Sequence, residues 1–161
     1  PRPAQEIWNY QQVDLGFNYR MTELHAALGL SQMQRIDAFV TRRHAIAKRY
    51  DQQLSALPLL TPWQHKGGYS AYHLYVIRLK LLEINQTHRQ VFEALSSANI
   101  GVNLHYIPVY RQPYYEGLGF KAGYCPEAEQ YYSEAISLPM FPGLSHDQQN
   151  CVVDTLTEIL V

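Results

Sequence analysis

Two runs of residues carry side chains that could do chemistry. The first is Gly16-Phe17-Asn18-Tyr19-Arg20-Met21. Asn18 can donate through its amide and Arg20 through a fork of N–H groups. Placed just before a helix N-terminus, the pair would suit an anion, most simply a phosphate. The same residues also fit a glycine turn in which Asn18 caps its own backbone. The second run is His105-Tyr106-Ile107-Pro108-Val109-Tyr110, followed by Gln112-Pro113-Tyr114-Tyr115. An imidazole that titrates near neutrality, set among flat rings with hydroxyls, suits a polar ring such as a sugar or a base. A satisfied core histidine packed by tyrosines is the competing reading.

Other chemistries leave no trace. There is no Gly-x-Ser-x-Gly, no P-loop and no Gly-x-Gly-x-x-Gly. The 7 histidines show no Glu-x-x-His or His-x-x-x-His spacing, so no metal site is expected. Cys125 and Cys151 lack paired spacing and read as two reduced thiols. Arg42 and Arg43, with Arg35, Lys48 and Arg49, read as a solvated charged face on a helix. The 161 residues carry 13 Lys+Arg against 14 Asp+Glu, a net charge of −1. That balance lacks the basic excess of a nucleic-acid binder. No apolar run is long enough to cross a membrane and no leader is visible, so a cytoplasmic protein is expected. The opening Pro-Arg-Pro, without an initiator Met, suggests a processed or cut product. Of 13 tyrosines, seven fall between Tyr106 and Tyr132.

The elements that must position these residues follow from pattern. Residues 1–21 are irregular. Thr22 is a fair N-cap for a helix in which Met33, Ile36, Val40, Ala47, Tyr50, Leu54 and Leu57 recur at steps of three and four, Arg43 interrupting the stripe. One long helix over 22–57, bent near Thr41, would span roughly 50 Å. It is too long for a domain of this size, and its start, Leu24 to Leu30, is apolar on more than one face. Both features predict packing on a further domain or subunit. Tyr69 to Leu81 reads as a strand. Thr87-His88-Arg89-Gln90 is a capping box for a short helix that ends before Gly101. Val102–Leu104 is a short strand, and residues 105–124 are a long aromatic loop. Pro126 opens a helix through Ala135, and Ile136–Leu138 is a strand. Ser145-His146-Asp147-Gln148 caps a final helix. The sum is an α/β chain of the α+β type: a short antiparallel or mixed sheet covered by helices, with one long N-terminal helix.

The run from Gln11 to Glu23, then Ala26-Ala27-Leu28-Gly29-Leu30-Ser31-Gln32-Met33, resembles the DegT-type sugar-nucleotide aminotransferases, fold-type I enzymes that use pyridoxal phosphate. Ile100-Gly101-Val102, His105-Tyr106-Ile107-Pro108, Gln112-Pro113-Tyr114-Tyr115 and Ser137-Leu138-Pro139-Met140-Phe141-Pro142-Gly143-Leu144 match in order. Within the family the similarity is strongest to pseudaminic-acid pathway members. These aminate C4 of a UDP-linked 4-keto-6-deoxy-N-acetylhexosamine with glutamate as donor. The resemblance implies that 22–161 is the C-terminal small domain and that 1–21 meets a large domain absent from this chain. It implies a homodimer in which Asn18 reaches the neighbouring subunit's cofactor phosphate, with Arg20 near the same anions. His105, Tyr106 and Tyr114 would wall the sugar-nucleotide pocket. Lys48, Lys66, Lys80 and Lys121 do not match the Schiff-base motif, so no catalytic residue is assigned and the chain alone should not turn over. Two alternatives remain: a dehydratase of the same family with histidine in place of the lysine, and a stand-alone carbohydrate-binding module.

Overall fold

The computed structural model describes residues 14–17 and 19–161. The chain divides into two compact units, residues 1–36 and 37–161.

In the first unit, α1 spans Glu23–Met33. The Thr22 hydroxyl accepts from the His25 amide at 3.3 Å, the N-cap bond that its sequence position promises. No residue of α1 is buried. The single helix expected over 22–57 is instead two, because the helical run is interrupted at Gln34 and Arg35 before α2, Ile36–Gln53. The cause is a tightened turn. The Arg35 amide donates to the Gln32 carbonyl, three residues back, at 3.0 Å. The freed Ser31 carbonyl takes the Arg35 Nε at 3.4 Å instead. Neither Gly29 nor Thr41 marks the break.

The second unit is built on three antiparallel strands in chain order: β1 Leu59–Leu60, β2 Tyr75–Leu79 and β3 Ala135–Leu138. Tyr75 pairs with Leu138 and Ile77 with Ile136. Along β2, Tyr75, Ile77 and Leu79 are buried while Val76 and Arg78 are half-buried, the alternation of a strand between unlike faces. On the first face lies the core. It takes Ile46, Ala47 and Tyr50 from α2, Val91 and Leu95 from α3 (His88–Ser97), and Val152, Leu156 and Leu160 from α6 (His146–Leu160). The Tyr50 and Tyr75 rings meet at 4.9 Å between centroids. On the second face α5, Pro126–Glu134, packs on β2. There Arg78 bonds Glu134 at 2.7 Å and lies 5.7 Å from the Tyr131 ring centroid.

Both capping boxes form as expected, at Thr87 with Gln90 and at Ser145 with Gln148. The end of α3 differs. The left-handed residue is Asn99, at φ 57°, not Gly101. The Ile100 amide reaches back to the Leu95 carbonyl and the Asn99 amide to that of Ser96, the two bonds of a Schellman motif. Ile100 and Leu95 are then both buried, the apolar contact that accompanies this cap.

The strand expected over Tyr69–Leu81 shortens to Tyr75–Leu79 for a related reason. Tyr72 sits at φ 46°, which breaks the extended chain. The carbonyls of Ser70, Tyr72 and His73 accept bonds from α2 side chains rather than from a ladder. Val102–Leu104 reduces to one bridge between Asn103 and Ser137. The loop 105–124 contains a 3₁₀ turn, Val109–Arg111, and α4, Pro113–Gly117. Cys125 and Cys151 are exposed and are not joined in a disulfide. Among the described residues no helix is long and apolar enough to cross a membrane.

Candidate functional site

In the first unit, Asn18 lies outside the described residues. Its neighbours Phe17 and Tyr19 are exposed and stacked, with centroids 5.4 Å apart. Arg20 is exposed. Among the described residues it makes no hydrogen bond or ion pair, so its guanidinium fork is open to an anion.

In the second unit, the chain leaves the sheet region at Asn103, bridged to Ser137, and enters the aromatic lobe at His105. His105 Nδ1 lies 2.8 Å from Ser137 Oγ. Ser137 is buried in β3, so a rigid strand holds one nitrogen of the ring. Tyr106 is 58% exposed, and its hydroxyl accepts from Gln112 Nε2 at 3.4 Å. Tyr114 is 73% exposed and stands edge-on to Tyr115, at 5.3 Å between centroids. No hydrogen bond joins the side chains of His105, Tyr106 and Tyr114 to one another among the described residues. They share the lobe, and two of the three present open rings and hydroxyls.

The lobe is held from α5. Tyr110 Oη donates to Glu129 Oε1 at 2.6 Å, and the Gly123 amide donates to the same oxygen at 2.8 Å. The Cys125 amide donates to Tyr110 Oη at 3.2 Å. Gly123 needs its glycine, with φ 83°, to aim that amide. The Tyr110 bond first, and then the Gly123 amide, hold the Glu129 carboxyl below the usual carboxylate range. Crowding by the surrounding protein, then the bond to Glu129, pushes the Tyr110 phenol up. A run of ring contacts continues from Tyr110 through Tyr124 and Phe120 to Tyr115.

Ser137 and Glu129 were not candidates in the sequence. A hydroxyl inside the apolar strand Ala-Ile-Ser-Leu was the available sign for Ser137. Glu129 offers none, because Glu127 and Glu134 look the same without coordinates. The arginine face corrects a second expectation. Arg42 donates to the Leu144 carbonyl at 2.8 Å, and Arg49 bonds Asn150 at 2.7 Å. Arg43 donates to the carbonyls of Tyr72, His73 and Met140. These cations tie α2 to the rest of its unit and are not a solvated stripe. A cleft of about 750 Å³ is lined by Trp63, Arg78 and Tyr131 among others and by none of the predicted site residues.

Residues 2–157 match the model of the DegT/DnrJ/EryC1/StrS aminotransferase family. The chain belongs to that family. It is 36% identical over 156 residues to the spore coat polysaccharide biosynthesis protein SpsC of Bacillus subtilis, covering 95% of this chain and 40% of SpsC. It is 31% identical over 157 residues to the UDP-4-amino-4,6-dideoxy-N-acetyl-beta-L-altrosamine transaminase of Campylobacter jejuni, covering 97% and 41%. Among solved structures, the apo form of Streptococcus pneumoniae Spr1654, assigned as a sugar aminotransferase, superposes with a TM-score of 0.84. The sequences are 26% identical, with 94% of this chain and 38% of that one covered. Forms of Spr1654 with PMP and with PLP match as well. The chain thus spans about 40% of the length of the curated relatives it matches, and its fold is that of the corresponding part of a sugar aminotransferase.

The family implies pyridoxal phosphate. Among the described residues, the exposed Arg20 has the charge and the unengaged guanidinium that the phosphate end of such a group would need. Lys48, Lys66 and Lys121 are exposed, and Lys80 pairs with Glu83 at 3.3 Å. None is an enclosed amine of the kind that holds the aldehyde carbon.

Proposed function

We propose that the full protein transfers an amino group from glutamate to a nucleotide-linked 4-keto-6-deoxy sugar, in amino-sugar synthesis for a cell-surface polysaccharide or flagellin glycan. It works as a cytoplasmic homodimer. The observation that carries this reading is the family match over residues 2–157, a span that takes in both the Asn18–Arg20 segment and the His105–Tyr115 lobe. The Campylobacter transaminase named for a UDP-linked 4-amino sugar supports the substrate class. Residues 22–161 serve as the small domain, and 1–21 meet the part of the protein beyond this chain.

Pyridoxal phosphate, when bound, supplies the electron sink and the carrier for the amino group. This chain's share is binding and orientation. Asn18 and Arg20 hold anionic groups, of the cofactor phosphate first. Tyr106 and Tyr114 offer rings and hydroxyls to the sugar nucleotide. His105, fixed through Nδ1 on Ser137, keeps its other nitrogen to bond a sugar hydroxyl.

The test uses the full-length protein with pyridoxal phosphate, glutamate and a UDP-4-keto-6-deoxy-N-acetylhexosamine. Mass spectrometry should find the amino sugar nucleotide and 2-oxoglutarate in equal amounts. A cofactor-loaded protein that makes neither product refutes the proposal. A deoxygenated sugar without nitrogen would instead identify a dehydratase. Residues 1–161 alone should not turn over and should bind UDP-sugars weakly in calorimetry. Tight binding by that piece would favour a carbohydrate-binding module.

A further inference from the structure

Among the described residues the exposed tip of Tyr114 has no hydrogen bond and that of Tyr106 has one, from Gln112, so something must fix the backbone that carries them. The 3₁₀ turn Val109–Arg111 joins the two, and two of its three residues reach Glu129. Tyr110 Oη lies at 2.6 Å, and Arg111 Nη1 at 3.7 Å, from the same carboxylate oxygen. The links run outward on both sides of the turn. Arg111 Nε also bonds Glu116 in α4 at 2.8 Å, next to Tyr114 and Tyr115. Gln112, which follows the turn, donates to the Tyr106 hydroxyl. Beyond α4, the Gly123 amide returns the far end of the lobe to Glu129. Arg111 and Glu129 line a hollow of about 190 Å³ with Ile107, Pro108 and Tyr132. The 3₁₀ turn within the lobe and the lobe's far end therefore both close on one carboxylate, and that carboxylate rides on α5, which packs on the central strand.

We infer that Glu129 is a positioning residue that sets the affinity for the sugar nucleotide by holding the 105–124 lobe in its binding shape. The inference rests on the aminotransferase reading above. Three donors converge on Glu129: a phenol, a backbone amide and a guanidinium. An anionic acceptor serves them better than a neutral one, because charge-assisted bonds are the stronger class. Losing that acceptor leaves the sheet and core contacts intact and releases the turn between Tyr106 and Tyr114. The sugar nucleotide must then restore the order of the lobe on binding, which lowers affinity without altering the chemistry once it is bound.

The experiment is steady-state and single-turnover kinetics on the full-length enzyme with Glu129→Ala, Glu129→Gln and Tyr110→Phe. Glu129→Ala should raise KM for the sugar nucleotide by roughly tenfold or more. Glu129→Gln keeps one acceptor oxygen and should recover part of that loss. Tyr110→Phe should move KM in the same direction by less. In all three, kcat at saturation and the single-turnover rate with glutamate alone should stay within about twofold of wild type, the pattern of lost uniform binding. A KM unchanged by Glu129→Ala, or equal losses in the glutamate and sugar half-reactions, overturns the inference. If Glu129→Ala does not fold, the Tyr110→Phe result decides on the same criteria. A wild-type enzyme without transaminase activity refutes the functional reading itself, and shows this separately from any result on Glu129.

Discussion

Replacing Arg43 by Met should destabilise the protein by about 2–4 kcal/mol, although sequence alone places this arginine on a solvated face. Its Nη1 lies 2.7 Å from the Tyr72 carbonyl and 3.1 Å from those of His73 and Met140. One NH₂ group has two hydrogens, so it satisfies two acceptors fully and the third in part. A bond from a charged donor contributes about 1.5–3 kcal/mol. The His73 carbonyl lies at an exposed contact and regains water when the arginine goes, whereas those of Tyr72 and Met140 are partly buried and do so less completely. Met keeps the apolar stem along α2, so the loss isolates the guanidinium. At about 4 °C per kcal/mol for a unit of this size, the melting temperature should fall by about 8–16 °C. Urea unfolding followed by far-ultraviolet circular dichroism measures the change, with Arg89→Ala as control. Arg89 is an exposed i,i+4 partner of Glu93 and should cost little. Arg43→Lys, which lacks the planar fork, should recover only part of the loss. A change within about 0.5 kcal/mol for Arg43→Met would show that the carbonyls are equally well served by water, and would refute the assignment.

Two further outcomes follow from the core. Burial first, with the Asp51 bond and charge adding at Tyr75, raises the Tyr50 and Tyr75 phenols well above their ordinary range. A raised folded pKa gives stability that is fully present below the unfolded value, about 10, and fades as pH rises above it. In alkaline spectrophotometric titration these two tyrosines should ionise only with unfolding, and stability should decline above that pH. If all tyrosines titrate reversibly in a folded protein, the burial argument fails. Ile136→Ala, in the fully buried β3, should cost about 2–5 kcal/mol by denaturant titration, and a loss below about 1 kcal/mol would mean that the site collapses around the cavity.

Much of the fold was legible because its signals are local. Two capping boxes, a proline opening α5 and the spacing Val152–Leu156–Ile159–Leu160 act within a few residues, and each element formed where expected. The failures share a cause as well. The helix expected over 22–57 breaks where the Arg35 side chain replaces its own amide at the Ser31 carbonyl, a choice that composition does not encode. β1 lies between Pro58 and Pro62, which mark a helix end but do not forbid a two-residue edge strand. The strand expected from Tyr69 gives way where Arg43 and His44 claim its carbonyls from 26 to 30 residues away in sequence. Of the candidate site, His105 and its tyrosines were legible as residue types. Their supports, Ser137 and Glu129, were not, because each acts across a gap of 19 or more residues on its partner.

What separates a structural polar group from a functional one in this chain is where its hydrogen-bonding atoms end. Arg43 stands three and four positions before Ile46 and Ala47, so helix geometry turns it toward the core, and only backbone carbonyls can satisfy it there. Arg20 has the same side chain in a segment where, among the described residues, no hydrogen bond or ion pair engages it. The tyrosines divide in the same way. Tyr75 gives its hydroxyl to Asp51 at 2.6 Å and Tyr110 gives its to Glu129, and both hold the frame. Tyr106 and Tyr114 keep their rings exposed on a backbone that the frame holds still. A binding surface needs both parts, since an open side chain on a loose loop forfeits affinity to ordering, and a fixed but satisfied one has nothing left to offer a ligand. By that criterion, and on the function proposed above, the binding capacity of the lobe would rest on Tyr106, Tyr114 and the second nitrogen of His105, and its precision on Glu129 and Ser137. Substitutions in the first group should therefore change which sugar nucleotide is accepted, while those in the second should weaken all of them alike.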